Sequence, residues 1–220
     1  MLIIINSWAV FCVAFGLMLL LTIIMGRQSV HFYTKDVVVK KFSIMDLELP
    51  SSPAELVNLI RGLYKLPEPE SIKAVKALKS QLYIDFLFMP CAYGAIFILC
   101  RLVSAKMQLS FGINIFIILA WLQLLPWLFD IIENIYLLRK INPNPVLSKP
   151  SVHKAYLIME VFKWGIALTA TICAIAANCY FWLAGNYAVS SLYYPLIIIA
   201  EIILFLILAK HFLKEKAKPV

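Results

Sequence analysis

Leu109–Lys140 reads LSFGINIFIILAWLQLLPWLFDIIENIYLLRK. As far as Leu138 it carries only two charged side chains, Asp130 and Glu133. Roughly 20 helical residues cross a hydrocarbon core about 30 Å thick, so this run spans a bilayer with length to spare. It shows no alternation of period two, which argues against a transmembrane β-strand. Four more runs read the same way: Leu2–Gly26, Gln81–Val103, Ala155–Ala184 and Tyr193–Phe212. The 220 residues are 63% hydrophobic and 15% charged, with a mean hydropathy of +0.88. Soluble domains are nearer half apolar and a quarter charged. The expected fold is an all-α integral membrane protein, a bundle of about five transmembrane helices. Residues 1–26 form an anchor helix, 27–80 a cytoplasmic loop region with amphipathic helices, 81–213 a four-helix bundle and 214–220 a cytoplasmic tail.

Orientation follows from the cations. Nine Lys and Arg lie between the first two spans, four more (Arg139, Lys140, Lys149, Lys154) follow the third, and four (Lys210, Lys214, Lys216, Lys218) close the chain. The opposite side has Arg101 and Lys106 alone, and Lys163 falls inside the fourth span. Seventeen against two puts the N-terminus outside and the C-terminus in the cytoplasm, as in a multi-pass protein of a bacterial inner membrane. Met1–Ile5 has no positive charge, the apolar run exceeds the 7–15 residues of a secretion signal, and no A-x-A pattern precedes Arg27. The first span therefore reads as a retained anchor. The net charge of +8 is a topology-setting collar that meets anionic lipid headgroups, and nucleic acid is not needed to explain it.

Cys12, Cys91, Cys100, Cys173 and Cys179 all fall within spans and form no C-x-x-C pair, so thiol redox chemistry is excluded in favour of small buried hydrophobes. His31, His153 and His211 lie at membrane edges or in the large loop, which leaves no bis-histidine ligation for a haem inside the bundle.

In the segment 27–80, Met45, Leu47 and Leu49 alternate with Asp46 and Glu48, which predicts short extended pieces and a hairpin in this half. Ser52-Pro53-Ala54-Glu55 is a capping box with proline at the first helical position. The turn Pro67-Glu68-Pro69 ends that helix. A second helix from about Glu70 puts Ile72, Val75, Leu78 and Leu82 on one face and Lys73, Lys76 and Lys79 on another, as in helices that lie on anionic membrane surfaces. Pro143, Pro145 and Pro150 make the third connection a stiff loop.

Within the spans, depth can be counted from the nearest cytoplasmic cation. Asp85, Glu133 and Glu160 each lie six residues from one, about 9 Å; Asp130, Lys163 and Glu201 lie nine away, about 13 Å. Six ionisable groups on four helices thus share one slab of the cytoplasmic leaflet. Five acids against one lysine are costly in lipid, so water, protons or a bound cation must be present. The implied wall of an acidic cavity comprises Asp85 and Tyr93 from the second span, Trp127, Asp130, Glu133 and Asn134 from the third, Glu160 and Lys163 from the fourth, and Glu201 from the fifth. The bland alternative is a Lys163–carboxylate pair and an Asn134 hydrogen bond that hold the bundle together.

The stretches YIDFLFMPCAYG (83–94) and FDIIENIYLL (129–138) resemble a pattern in uncharacterised bacterial multi-pass membrane proteins, where an L-D-x-x-F-x-x-x-Y-like helix precedes one with D-x-x-E-N. The resemblance implies no activity and adds weight to Asp85, Tyr93, Asp130, Glu133 and Asn134 as a set.

Three functions remain, and whether the protein is an enzyme stays open. The leading one is an accessory or assembly subunit of a membrane complex, with other membrane subunits as partners. The second is a metal-dependent membrane enzyme acting on a lipid or isoprenoid headgroup, with Asp85, Asp130, Glu133 and Glu160 as oxygen ligands for Mg²⁺ or Mn²⁺. The third is a protein that binds or transports a small molecule or protons, although the spans show no internal repeat.

Overall fold

The computed structural model describes residues 7–215, with side chains as far as His211. The start of the expected first span, at Leu2, and the tail beyond Glu215 lie outside the described residues. Helix α1 is Trp8–Gln28; a short hairpin follows, β1 Tyr33–Lys35 and β2 Val39–Lys41. Then come α2 Met45–Glu48, α3 Pro53–Tyr64, α4 Glu68–Ser104, α5 Ser110–Leu122, α6 Leu124–Lys140, α7 Pro150–Leu183 and α8 Tyr193–Glu215. Among the described residues five helical segments are long and apolar enough to cross a membrane: Trp8–His31, Glu68–Ser104, Ser110–Lys140, Pro150–Leu183 and Val189–His211. The protein is an all-α multi-pass membrane protein. In lipid every backbone polar group must find its partner inside the chain, and helices achieve this segment by segment.

The third span is interrupted once. Pro126 has no N–H to give and its ring excludes the carbonyl one turn earlier, so α5 ends at Leu122 and α6 starts at Leu124. Gln123 fills the break: its amide nitrogen donates to the Leu119 carbonyl at 3.0 Å, and the residue is buried.

The chain divides into two compact units, one of residues 1–23, 87–128 and 163–220, the other of 24–86 and 129–162. The core of the first is built from Trp8 and Phe11 of α1, Ile98, Leu99, Cys100 and Val103 of α4, Phe116 and Ala120 of α5, and Ala170, Ala174 and Phe181 of α7. Ala170 and Ala174 are fully buried, one turn apart. Small residues at that spacing let helix backbones approach closely, which is how helices associate where lipid removes the hydrophobic drive. Asn178, one turn on, donates to the carbonyls of Ala174 at 2.9 Å and Leu99 at 3.4 Å, and accepts from the Tyr187 hydroxyl at 2.6 Å. Burial pushes the Tyr187 hydroxyl up to about 12, so it remains a donor. Helix α7 ends in a Schellman turn: Gly185 takes φ +70°, its N–H bonds to Trp182 O and that of Asn186 to Phe181 O.

The second unit has its own core of Phe32, Phe42, Leu47, Leu56, Ile60, Leu63, Leu78, Leu82, Leu137 and Ile141. Phe32 and Phe42 stack with centroids 5.3 Å apart at the base of the hairpin, whose register is Tyr33↔Lys41, Thr34↔Lys40, Lys35↔Val39. Ser52 caps α3 by accepting from the Glu55 N–H at 3.2 Å, while the Glu55 carboxylate reaches back to the Ser51 N–H at 2.6 Å. The reciprocal bond of the capping box is thus made one residue earlier than expected. The extended pieces expected from the Met45–Leu49 alternation are confined to β1 and β2; Met45–Glu48 is one turn of helix instead. Its reason is local: the Asp46 carboxylate accepts from the Ser43 N–H at 2.6 Å and from its hydroxyl at 3.0 Å, which closes the turn.

Strand β1 rests directly on α3. The Thr34 hydroxyl donates to the Leu59 carbonyl at 3.0 Å, and a Cβ at Gly62 would collide with Thr34 Oγ1 and lie 3.0 Å from the backbone N and O of Lys35. Gly62→Ala should therefore lift the hairpin off α3 at a cost of about 1–3 kcal/mol, seen as a detergent-phase Tm about 3–10 °C lower. Gly94→Ala, where no atom lies within 4 Å of the new methyl, should melt with the parent or a few degrees above it. Equal melting of all three proteins would refute this packing.

Candidate functional site

The second unit collects the carboxylates. On α6 the buried stripe runs Asp130, Glu133, Asn134, Leu137, a spacing of one helix face, and Ile141 just past the helix end continues it. The acids therefore lie on the face that continues into the apolar core of Leu137 and Ile141. On α7 the buried stripe is His153, Tyr156, Glu160. Glu133 is 2% exposed and Glu160 0%.

Glu48, Glu133 and Glu160 each bring one carboxylate oxygen to within 4.8 Å of the other two. They come from three separate segments, the single turn α2 and the membrane helices α6 and α7. Tyr156 lies within electrostatic range of all three. Its hydroxyl donates to the Leu47 carbonyl at 3.2 Å, which pins the turn carrying Glu48 against α7. Its ring lies 5.0 Å from that of Tyr136, and the Tyr136 hydroxyl shares a 2.7 Å hydrogen bond with Ser148 Oγ. Asn134 ties α6 to α4: its amide donates to Asp85 Oδ2 at 2.7 Å and to the Leu82 carbonyl at 3.3 Å.

Two like charges 4–5 Å apart repel by about 3–4 kcal/mol at an effective dielectric constant near 20. Three carboxyl groups so close favour positive charge beside them, which a proton, a basic side chain or a bound cation can supply. The donor set is all oxygen, which suits hard divalent ions. Three atoms no more than 4.8 Å apart share a centre no more than about 2.8 Å from each. Calcium bonds oxygen at 2.3–2.6 Å and magnesium at 2.0–2.1 Å. Calcium needs at most a closure of a few tenths of an ångström, and magnesium a tighter approach. The residues present fit such an ion, with water completing its coordination.

Of the residues expected from the sequence, Asp85, Asp130, Glu133, Asn134 and Glu160 belong to this unit. Only Glu133 and Glu160 are in the close trio; Asp85 is engaged by Asn134, and Asp130, 9% exposed, lies outside the trio. Tyr93, Trp127, Lys163 and Glu201 belong to the first unit. There Tyr93 is buried, Trp127 half-buried, and the Lys163 ammonium sits 5.6 Å from the centroid of the Trp164 ring. Glu201 is set against the notch left by Gly16, where an added Cβ would stand 2.8 Å from Oε1. Glu48 and Tyr156 were not anticipated. The signal for Glu48 was the Ser43-x-x-Asp46 spacing, a helix-start pattern that places Glu48 at the end of one turn, beside the buried Leu47.

The chain matches no protein-family model, no curated protein and no solved structure.

Proposed function

We propose that this multi-pass membrane protein holds a divalent cation between Glu48, Glu133 and Glu160 and works as a metal-dependent enzyme on the polar headgroup of a lipid or isoprenoid. The observation that carries the reading is the convergence of three carboxylates from three segments, two of them buried. Ionised carboxylates crowded together cost several kcal/mol unless positive charge accompanies them. A cation converts that repulsion into ligation and offers a Lewis acid to a phosphate oxygen at the level where headgroups begin. Asn134 and Tyr156 serve as positioning residues: one fixes α6 against α4, the other fixes the turn bearing Glu48.

The site-bearing unit faces the cytoplasm in this proposal, because the connections flanking it carry the excess of Lys and Arg, as in a bacterial inner membrane protein. A second reading, an accessory subunit of a membrane complex, is favoured by one feature. None of the apolar window of the span Val189–His211 is buried within the chain, which leaves α8 free to dock against another membrane protein. A stoichiometric partner retained in gentle detergent would support that reading, and a lone chain would count against it.

Thermal melting tests the cation. At a concentration one hundred times Kd, an ion bound only by the folded state stabilises by about 2.7 kcal/mol, a rise of about 5–10 °C for a chain of this size. Calcium, manganese or magnesium should produce that rise in the parent and none in Glu133→Gln/Glu160→Gln. No rise with any of the three ions, together with a double variant more stable than the parent, would mean that protons satisfy the cluster.

Labelling tests the orientation. In a variant without the native cysteines, Ser43→Cys and Ser190→Cys should react with impermeant reagents from opposite faces of the membrane, Ser43→Cys from the cytoplasmic side. Reaction of both from one face would overturn the topology.

A further inference from the structure

The first turns of α4 carry a groove that the metal reading does not use. It encloses about 500 Å³ and is lined on one side by Ile72, Lys76, Lys79, Ser80 and Tyr83, and on the other by Tyr64 at the end of α3. Among the described residues no acidic one lines it. Two cations, two serine hydroxyls (Ser71 and Ser80) and two phenols line a space of ligand size. Its wall changes character along the helix. Lys76 and Lys79 stand one turn apart, the lining ends at Tyr83, and one turn beyond it on the same helix the exposed Leu87 continues an apolar surface. Tyr83, 61% exposed at that boundary, is an amphipathic ring of the kind that settles at the level of lipid headgroups.

We infer that this groove is a binding site for an anionic phospholipid, whose phosphate is held by Lys76 and Lys79 and whose glycerol end and first acyl carbons lie along Tyr83. The occupant follows from three features of the groove. Its charge is uncompensated and positive, which selects an anion. Its axis continues into an apolar helix face, which selects an anion with a hydrocarbon tail over free phosphate. Its hydroxyl-bearing residues, Ser80 and the tyrosines, match a polar headgroup between charge and tail. A lysine is a point-charge partner for a phosphate rather than a planar clamp, and two of them with flexible stems accommodate a mobile headgroup. The inference stands independently of the cation between Glu48, Glu133 and Glu160.

The test is native mass spectrometry of the full chain, released from nanodiscs of phosphatidylglycerol mixed with phosphatidylcholine. The parent should retain phosphatidylglycerol in preference to phosphatidylcholine. Each lysine near a membrane surface is worth about fivefold in anionic-lipid affinity, so Lys76→Gln/Lys79→Gln should bind phosphatidylglycerol about thirtyfold less tightly at most and about fivefold less at least. Lys35→Gln/Lys41→Gln, which removes two hairpin lysines away from the groove, should retain it as the parent does. Lys76→Arg/Lys79→Arg should keep most of the retention, which separates lost charge from lost folding. Glu133→Gln/Glu160→Gln should leave lipid retention unchanged even if it abolishes metal binding. Equal loss in both Lys→Gln pairs would reduce the effect to a diffuse basic surface. Displacement of the retained lipid by millimolar inorganic phosphate would assign the site to a soluble anion. Either result overturns the inference, as would equal retention of both lipids by the parent.

Discussion

Three carboxylates confined within 4.8 Å of one another impose a constraint that the whole of the second unit is arranged to meet. Left to themselves they would push apart, and the chain prevents this from three directions. Asn134 holds α6 to α4 through Asp85 and the Leu82 carbonyl. Tyr156 holds the turn before Glu48 through the Leu47 carbonyl. Beneath them the apolar stripe of Leu47, Leu78, Leu82, Leu137 and Ile141 closes the core. The polar latches do not compensate the charge; they fix its position. Under the proposed function a bound cation compensates it.

The first unit solves a different problem. Its helices meet through small residues, Ala170 and Ala174 against α4 with Cys100 Sγ 4.0 Å from the Ala170 carbonyl, and through one fully engaged amide, Asn178. Trp8 gathers Phe11, Trp182 and Tyr187 around it at centroid distances of 5.5–5.7 Å, and Lys106 reaches the Asn186 carbonyl at 3.0 Å while lying over the Tyr187 ring. Aromatic and cationic side chains at the end of a span are the expected anchors at a membrane–water boundary. Glu201 and the buried Lys163 are ionisable groups in these apolar surroundings, and Gly16 is the residue that makes room for the Glu201 carboxyl group.

Much of this was legible in the sequence because the signals are local. Apolar run length revealed five spans, and the i, i+3, i+4 spacing put Asp130, Glu133 and Asn134 on one face. Counting along each helix gave depth, which brought Asp85 and Glu160 into consideration beside them. Depth is only one coordinate, however, and the direction in which a side chain leaves its helix depends on neighbours. Lys163 and Glu201 shared the expected level, and Tyr93 and Trp127 the expected cavity wall, yet all four fall in the first unit. Glu48 was hidden for another reason. Its alternation with Met45, Leu47 and Leu49 imitates a strand, whereas the Ser43–Asp46 hydrogen bonds select a helical turn. Its partners are 85 and 112 residues away in the chain, a separation that no local pattern records.

The most direct measurement is anomalous X-ray diffraction from crystals of the full chain equilibrated with Mn²⁺, recorded above and below the manganese edge. Ligation by the trio predicts one strong anomalous peak among Glu48, Glu133 and Glu160, within about 2.6 Å of an oxygen from each, and its disappearance in Glu133→Gln/Glu160→Gln. Manganese bound elsewhere, with the three carboxyl groups hydrogen-bonded to one another, would contradict it.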